Sequence, residues 1–66
     1  MKNLIRVERA RLEISQSELA NQVGVTRQTI YAIEKSKFTP SVILAFKIAK
    51  VLKVDINYLF QVEDTD

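Results

Sequence analysis

The sequence has 66 residues, of which 47% are apolar and 27% charged, with one glycine, one proline, no cysteine and no histidine. A chain of this length forms a single domain with little room for a deep substrate cleft. Without cysteine or histidine the usual zinc and disulfide sites cannot form, so we expect no metal and no cofactor. The carboxylates, hydroxyls and lysines are scattered without an orienting partner, so we expect no enzyme. The longest apolar run, Val42 to Phe46, is too short to cross a membrane and no signal peptide is evident, so we expect a soluble cytoplasmic protein.

Charge is distributed unevenly along the chain. All 10 Lys and Arg residues lie in residues 1–60 with five of the acids, whereas Glu63, Asp64 and Asp66 lie in an acidic tail at 61–66. A basic domain is compatible with nucleic acid binding, but ordinary protein surfaces can have the same balance. Charge alone therefore leaves both interpretations open.

Apolar residues recur at helical spacing, and the two chain breakers, Gly24 and Pro40, are too few for an all-β chain. We predict an all-α domain with five short helices. The first runs from about Leu4 to Glu13. Its apolar residues are Leu4, Ile5 and Leu12, with Ile14 in the connection that follows.

A Ser-x-x-Glu capping box formed by Ser15 and Glu18 marks the start of the second helix. Gly24 stands where a left-handed cap would end it. The residues that this helix buries are Leu19, Ala20 and Val23. Two capped helices joined by so short a turn, within about residues 16–35, are typical of a helix-turn-helix.

The third helix, from about Arg27 to Lys35 with Thr26 as its N-cap, has two different faces. At 100° per residue, Ile30 and Ile33 lie on one side. The other side carries Arg27, Gln28, Tyr31, Ala32 and Lys35. Arg and Gln bind guanine and adenine edges in the major groove, and Ala can admit a thymine methyl group. Such a face can also simply be exposed to solvent, but within a helix-turn-helix it indicates a recognition helix.

Two more helices complete the prediction. Thr39 or Ser41 caps the fourth, from about Val42 to Leu52, and Asp55 caps the fifth, from Ile56 to Phe60. Residues 60–62 can also pair with residues 2–4 as two short strands.

The spacing of several short motifs resembles the Xre/Cro-type, lambda-repressor-like helix-turn-helix family over about residues 4–60. The motifs are Ser15-Gln16-x-x-Leu19-Ala20, Val23-Gly24-Val25 and Ile30-x-x-Ile33-Glu34. The resemblance implies a five-helix DNA-binding domain, similar to small members that contain little else, and a transcriptional regulator that binds double-stranded DNA.

Carried over to this sequence, the resemblance implies a set of DNA-contacting residues. Gln16 would contact a phosphate or a base edge, and Lys37 with nearby backbone N–H groups would hold phosphates. The full set is Gln16, Ser17, Thr26, Arg27, Gln28, Thr29, Tyr31, Ala32, Lys35 and Lys37. Thr29 could instead be partly buried, and Lys35 and Lys37 could simply be solvated.

The resemblance also implies that Arg9 pairs with Glu34 and orients the helices. Two positions depart from the family pattern. Glu8 lies near the apolar stripe of the first helix, so either it pairs with a basic neighbour or that helix is rotated. Ser36 replaces a common glycine, and a left-handed serine would cost about 1 kcal/mol.

An apolar surplus near the C-terminus predicts a two-fold homodimer. The fifth helix has more large apolar residues than one turn can bury, and part of the fourth faces outward. We predict an interface of Pro40, Ile43, Ile56, Asn57 and Phe60.

The sequence therefore predicts a small DNA-binding regulator, a repressor that acts as a homodimer on an operator with two half-sites. The alternative is a protein-interaction module of the same fold, an antitoxin or dimerisation domain, that does not read DNA. No small-molecule ligand and no membrane partner is evident.

Overall fold

The computed structural model describes residues 1–62 of the chain. It contains five helices, α1 to α5, and two short strands, β1 and β2. In chain order they are β1 (Lys2–Asn3), α1 (Ile5–Leu12), α2 (Gln16–Val23), α3 (Arg27–Glu34), α4 (Val42–Leu52), α5 (Ile56–Leu59) and β2 (Phe60–Gln61). The five-helix prediction is confirmed. Within residues 1–62 no helix is both long and apolar enough to cross a membrane.

The predicted caps account for where the helices begin. The Ser15 side chain accepts from the Glu18 N–H while the Glu18 carboxylate accepts from the Ser15 N–H, so the capping box of α2 is complete. Thr26 caps α3, and Ser41 rather than Thr39 caps α4. Asp55 caps α5 through the N–H of Asn57. Each cap satisfies a backbone donor that the helix itself leaves free.

Helix ends differ from the prediction by about one residue. α1 stops at Leu12 because Glu13 adopts a left-handed conformation with φ of 57°. α5 stops at Leu59 because Phe60 enters β2, which pairs antiparallel with β1 so that Asn3 faces Phe60. This confirms the strand pair. Of the acidic tail predicted at 61–66, Gln61 lies in β2 and residues 63–66 lie outside the described residues.

The core is a single apolar cluster to which α1 to α5 all contribute. Its buried members are Ile5, Leu19, Ala20, Val23, Ile30, Ile33, Ile48, Ala49, Leu52 and Leu59. Leu4, Leu12 and Ile14 are only partly buried against it. Helices α2 and α3 pack on each other and α2 also packs on α4, so the helix-turn-helix rests on α4.

The end of α3 is tied to the N-terminal strand. The Asn3 side-chain amide donates to the Ile33 carbonyl at 2.9 Å, and its oxygen accepts from the Ile5 N–H at the start of α1. Ser36 is left-handed, with φ of 58°, and its hydroxyl donates to the Met1 carbonyl at 2.6 Å. That hydrogen bond helps to offset the conformational cost expected for a serine in this position.

Glu8 is buried and pairs with its neighbours. One carboxylate oxygen accepts from Arg11 Nε at 2.6 Å and the other from the Tyr58 hydroxyl at 2.8 Å. Arg11 also donates to the Leu52 carbonyl at the end of α4. The hydrogen bonds from Arg11 and then Tyr58 lower the pKa of Glu8, and the hydrogen bond to Glu8 raises the pKa of Tyr58. Glu8 therefore pairs with a basic neighbour, Arg11, which was one of the two possibilities considered for it.

This cluster predicts a pH-dependent contribution to stability. Because folding lowers the pKa of Glu8, its contribution is present above the ordinary value of 4.5 and is lost as pH falls through the folded-state pKa. We expect Tyr58→Phe to lower the urea midpoint at pH 7 and to differ less from wild type at pH 3. Tyr31→Phe, which removes an exposed hydroxyl, is the control and should change neither midpoint. An equal loss for Tyr58→Phe at both pH values would contradict the assignment.

Candidate nucleic-acid interface

The outward face of α3 is formed by the residues predicted for it. Ile30 and Ile33 are fully buried, which fixes the rotation of the helix. Arg27, Gln28, Tyr31 and Lys35 are exposed, and Ala32 is half-buried. Because the buried isoleucines hold the opposite face against the core, these side chains project into solvent as one surface.

The N-terminal end of α3 is held by its cap. The Thr29 N–H donates to the Thr26 hydroxyl at 3.2 Å, and the two hydroxyls lie 3.1 Å apart. Thr29 is half-buried, whereas Thr26 is exposed. The hydroxyls therefore support the first turn of the helix and leave Arg27 and Gln28 as its outermost side chains.

Gln16 and Arg27 meet where the N-terminal ends of α2 and α3 lie side by side. Arg27 Nη1 donates to Gln16 Oε1 at 3.3 Å, and Gln16 Nε2 donates to Glu34 Oε1 at 3.1 Å. Gln28, by contrast, makes no side-chain hydrogen bond within residues 1–62. Its amide is available for an external partner as both donor and acceptor.

The second turn of the face carries an aromatic ring beside a cation. Lys35 Nζ lies 5.8 Å from the centre of the Tyr31 ring, at the outer limit of a cation–π contact. Tyr31 is 44% exposed. The pair extends the exposed face of α3 by one turn towards the loop before α4.

Lys37 and Ser17 are both exposed, as a phosphate contact requires. The backbone N–H groups next to Lys37 are partly occupied, because Ser36 N donates to the Ile33 carbonyl and Lys37 N to the Ala32 carbonyl. These two amides therefore serve to end α3, while the Lys37 ammonium stays available to a phosphate.

The ion pair between Arg9 and Glu34 is present and largely buried. Arg9 Nε donates to Glu34 at 2.7 Å and Nη2 donates at 3.2 Å, while Nη1 donates to the Ile14 carbonyl. The two side chains are 15% and 7% exposed. The pair joins α1 to the end of α3 directly beneath the Gln16 contact.

A second exposed feature is an apolar groove of about 310 Å³ beside α4 and α5. Pro40, Ile56, Asn57 and Phe60 line it, together with Phe46, which is 56% exposed. Ile43 is 70% exposed but lies outside the groove. The groove thus brings together four of the five residues predicted for a dimer interface. Among residues 1–62 no group of three or more acidic side chains is arranged to hold a metal ion.

Several features of these surfaces were not predicted from the sequence. Gln16 donates to Glu34 and accepts from Arg27, and Phe46 and Val42 belong to the groove. Glu34 lies seven residues after Arg27, so helical periodicity places it on the same side of α3. That spacing was the one available signal for its second contact.

Comparison with known proteins identifies the family. The chain matches the helix-turn-helix family model over residues 5–59. It is 50% identical to an uncharacterised HTH-type transcriptional regulator of Methanocaldococcus jannaschii, and the match covers the full length of both chains. It is 45% identical over 97% of both chains to the uncharacterised HTH-type transcriptional regulator YgzD of Bacillus subtilis.

Solved structures agree with this result. The chain superposes on the P22 c2 repressor, solved in complex with a synthetic operator, with a TM-score of 0.82, 30% identity and 89% coverage of each chain. It superposes on the restriction-modification controller protein C.AhdI of Aeromonas hydrophila with a TM-score of 0.77 and 27% identity, over 85% of this chain and 81% of the other. The chain therefore belongs to the helix-turn-helix family of transcriptional regulators, which are not enzymes, and the resemblance to lambda-repressor-like proteins is confirmed.

The ion pair makes a specific prediction about stability. Removing one member leaves a largely buried charge without its partner, so Arg9→Ala and Glu34→Ala should each destabilise the fold by about 3 kcal/mol or more. The double variant should lose much less than the sum of the two, because neither charge is then stranded. Urea unfolding at unchanged m measures this coupling, with exposed Arg6→Ala as control. Additive losses would mean that the two charges do not stabilise each other.

Proposed function

We propose that this helix-turn-helix family member binds double-stranded DNA sequence-specifically by placing α3 in the major groove. The observation that carries the proposal is the exposed end of α3, where Arg27 and Gln28 project from a helix whose opposite face is fixed in the core. The P22 c2 repressor, which shares the fold, is described in complex with an operator, and this supports the same role here. We further propose that residues 1–66 act as one DNA-binding domain and that the protein works in the cytoplasm.

The chemistry of the face assigns different roles to its residues. Arg27 can bind O6 and N7 of guanine, and Gln28 can bind N6 and N7 of adenine. Ala32 and the Tyr31 ring offer apolar contact to a thymine methyl group. Lys37 neutralises a phosphate and contributes affinity without sequence preference.

Further phosphate contacts in this proposal surround the reading residues. Ser17 lies in the first turn of α2, whose N-terminal N–H groups attract an anion, and Gln16 begins that helix. Thr26 and Thr29 flank Arg27, and Lys35 follows one turn after Tyr31. The basic balance of residues 1–60 adds a general attraction to DNA.

Alanine substitutions separate base reading from phosphate binding. Arg27→Ala and Gln28→Ala should each weaken binding to the preferred site by about 1–3 kcal/mol and change binding to random DNA less. Lys37→Ala should weaken all duplexes alike and reduce the slope of log K against log salt by about one. Fluorescence anisotropy titrations at two salt concentrations measure both effects.

Arg6→Ala, which removes an exposed charge on α1, is the control for Lys37→Ala. Equal losses on specific and random DNA for Gln28→Ala would contradict its role in base reading. If wild-type protein shows no preference for any duplex, the protein-interaction alternative is favoured instead.

We also propose that the protein is a repressor that binds two half-sites as a two-fold homodimer. One domain of this kind makes few base contacts, so pairing two half-sites 34–36 Å apart, about one helical turn of DNA, increases specificity. The groove beside α4 and α5 supports this, because Pro40, Ile56, Asn57 and Phe60 line it and Val42 and Phe46 extend it. Ile43 would lie at the rim. The repressor role is supported by the similarity to the P22 c2 repressor.

A charge placed on this surface should prevent pairing. Phe46→Glu should convert a dimer into a monomer in sedimentation at tens of micromolar. It should also weaken binding to a two-half-site duplex at least tenfold, because part of the binding free energy is then used to bring two monomers together on the DNA. Val7→Glu is a matched control, since Val7 is also 56% exposed but lies on α1. A wild-type monomer at these concentrations, with DNA affinity unaffected by Phe46→Glu, would contradict the dimer.

A further inference from the structure

We infer that Glu34 is a positioning residue for DNA reading: it fixes the orientation of the Gln16 amide, which in turn holds Arg27 ready for one base. This inference rests on the proposed function, because it concerns how Arg27 selects its base. The Glu34 side chain is only 7% exposed, so Glu34 does not contact DNA itself in this proposal.

Four side chains from three helices form a continuous relay. Arg9 on α1 donates twice to Glu34 at the end of α3. Glu34 Oε1 accepts from Gln16 Nε2 at the start of α2, and Gln16 Oε1 accepts from Arg27 Nη1 at the start of α3. The relay therefore runs from the buried ion pair to the exposed reading surface.

The charge of Glu34 determines which way the Gln16 amide faces in this relay. A carboxylate only accepts hydrogen bonds, so the Gln16 amide must turn its nitrogen towards Glu34. The amide oxygen then faces the other way and can only accept, which matches the guanidinium of Arg27, a group that only donates. A neutral amide at position 34 would tolerate either orientation of Gln16, and one of the two would present N–H groups to Arg27.

The relay is rigid at its buried end and free at its exposed end. All three kinds of Arg9 nitrogen are engaged, two with Glu34 and one with the Ile14 carbonyl, so the carboxylate is held in place. At the other end Gln16 engages one Arg27 nitrogen, and within residues 1–62 Nε and Nη2 have no hydrogen-bond partner. Two adjacent free donors are what a bidentate contact to guanine O6 and N7 needs.

Ordering Arg27 before binding removes part of the entropy that a free arginine loses when it contacts a base. Glu34 thus acts on the selection of one base pair rather than on general attraction to DNA. Gln16 retains a second amide hydrogen for a phosphate, so its expected DNA contact is compatible with this role.

The test begins with wild-type protein and a duplex library that contains a randomised 20-base-pair segment. The selected site is then varied one base pair at a time, and the position read by Arg27 is the one at which Arg27→Ala abolishes the preference. Fluorescence anisotropy gives the ratio of affinities for guanine and for the other bases at that position. All measurements are made at a temperature where circular dichroism shows each variant to be folded.

We expect Glu34→Gln and Gln16→Met each to reduce the guanine ratio at this position about fivefold and to leave the preference at other positions unchanged. Glu34→Gln keeps the shape of the side chain and one oxygen that can accept a hydrogen bond from Arg9. Gln16→Met leaves the ion pair of Arg9 and Glu34 intact, so this variant tests the relay even if Glu34→Gln fails to fold. Glu18→Gln, which alters the capping box of α2 outside the relay, is the control and should not change the ratio.

The double variant distinguishes positioning from a general structural effect. If Glu34 acts through Gln16, Glu34→Gln should cause no further loss of the guanine ratio when Gln16→Met is already present. The same fivefold loss in both backgrounds, or a uniform loss at all positions, would overturn the inference. An unchanged guanine ratio in both single variants would overturn the inference as well. In that case, selective DNA binding by the wild type would still support the proposed function. A wild type that selects no sequence would reject both.

Discussion

The buried ion pair of Arg9 and Glu34 is the interaction on which the arrangement of α1, α2 and α3 depends. Two desolvated charges add little net stability when compared with an apolar pair, but each strongly requires the other. The pair therefore selects one relative position of α1 and α3. The same carboxylate receives Gln16 from α2. A constraint in the interior thereby reaches the exposed side chain of Arg27, and the proposed readout follows from how that interior is arranged.

The C-terminal end of α3, which carries Glu34, is also tied to the N-terminal residues of the chain. Asn3 donates to the Ile33 carbonyl, and Ser36 donates to the Met1 carbonyl. These bonds attach the end of the helix to β1, which pairs with β2 beside the apolar groove. The C-terminal end of α3 is thus restrained by an ion pair and by hydrogen bonds, while Ile30 and Ile33 hold its inner face in the core. A helix held in this way loses little freedom when it enters a groove, which favours selective binding in a domain with a small core.

Local chemistry made much of the fold predictable from the sequence. Ser15, Thr26, Ser41 and Asp55 begin helices through short-range hydrogen bonds, and periodicity placed Ile30 and Ile33 inside. The sequence did not indicate that Glu13 and Lys53 adopt left-handed conformations, since neither is glycine. Contacts between distant residues, such as Tyr58 with Glu8, depend on packing that no local pattern encodes. The outward face of α3 was predicted as a surface, whereas the hydrogen bond between Gln16 and Arg27 on that face was not.

Binding of DNA through the outward end of α3, held in place from within, can be tested by titrating ¹⁵N-labelled protein with a selected duplex. NMR then follows the backbone amides and the side-chain amides of Gln16 and Gln28. We predict that the largest shifts fall on residues 26–32, Lys37 and these two amides. Shifts confined to the groove beside α4 and α5, with α3 unchanged, would contradict it.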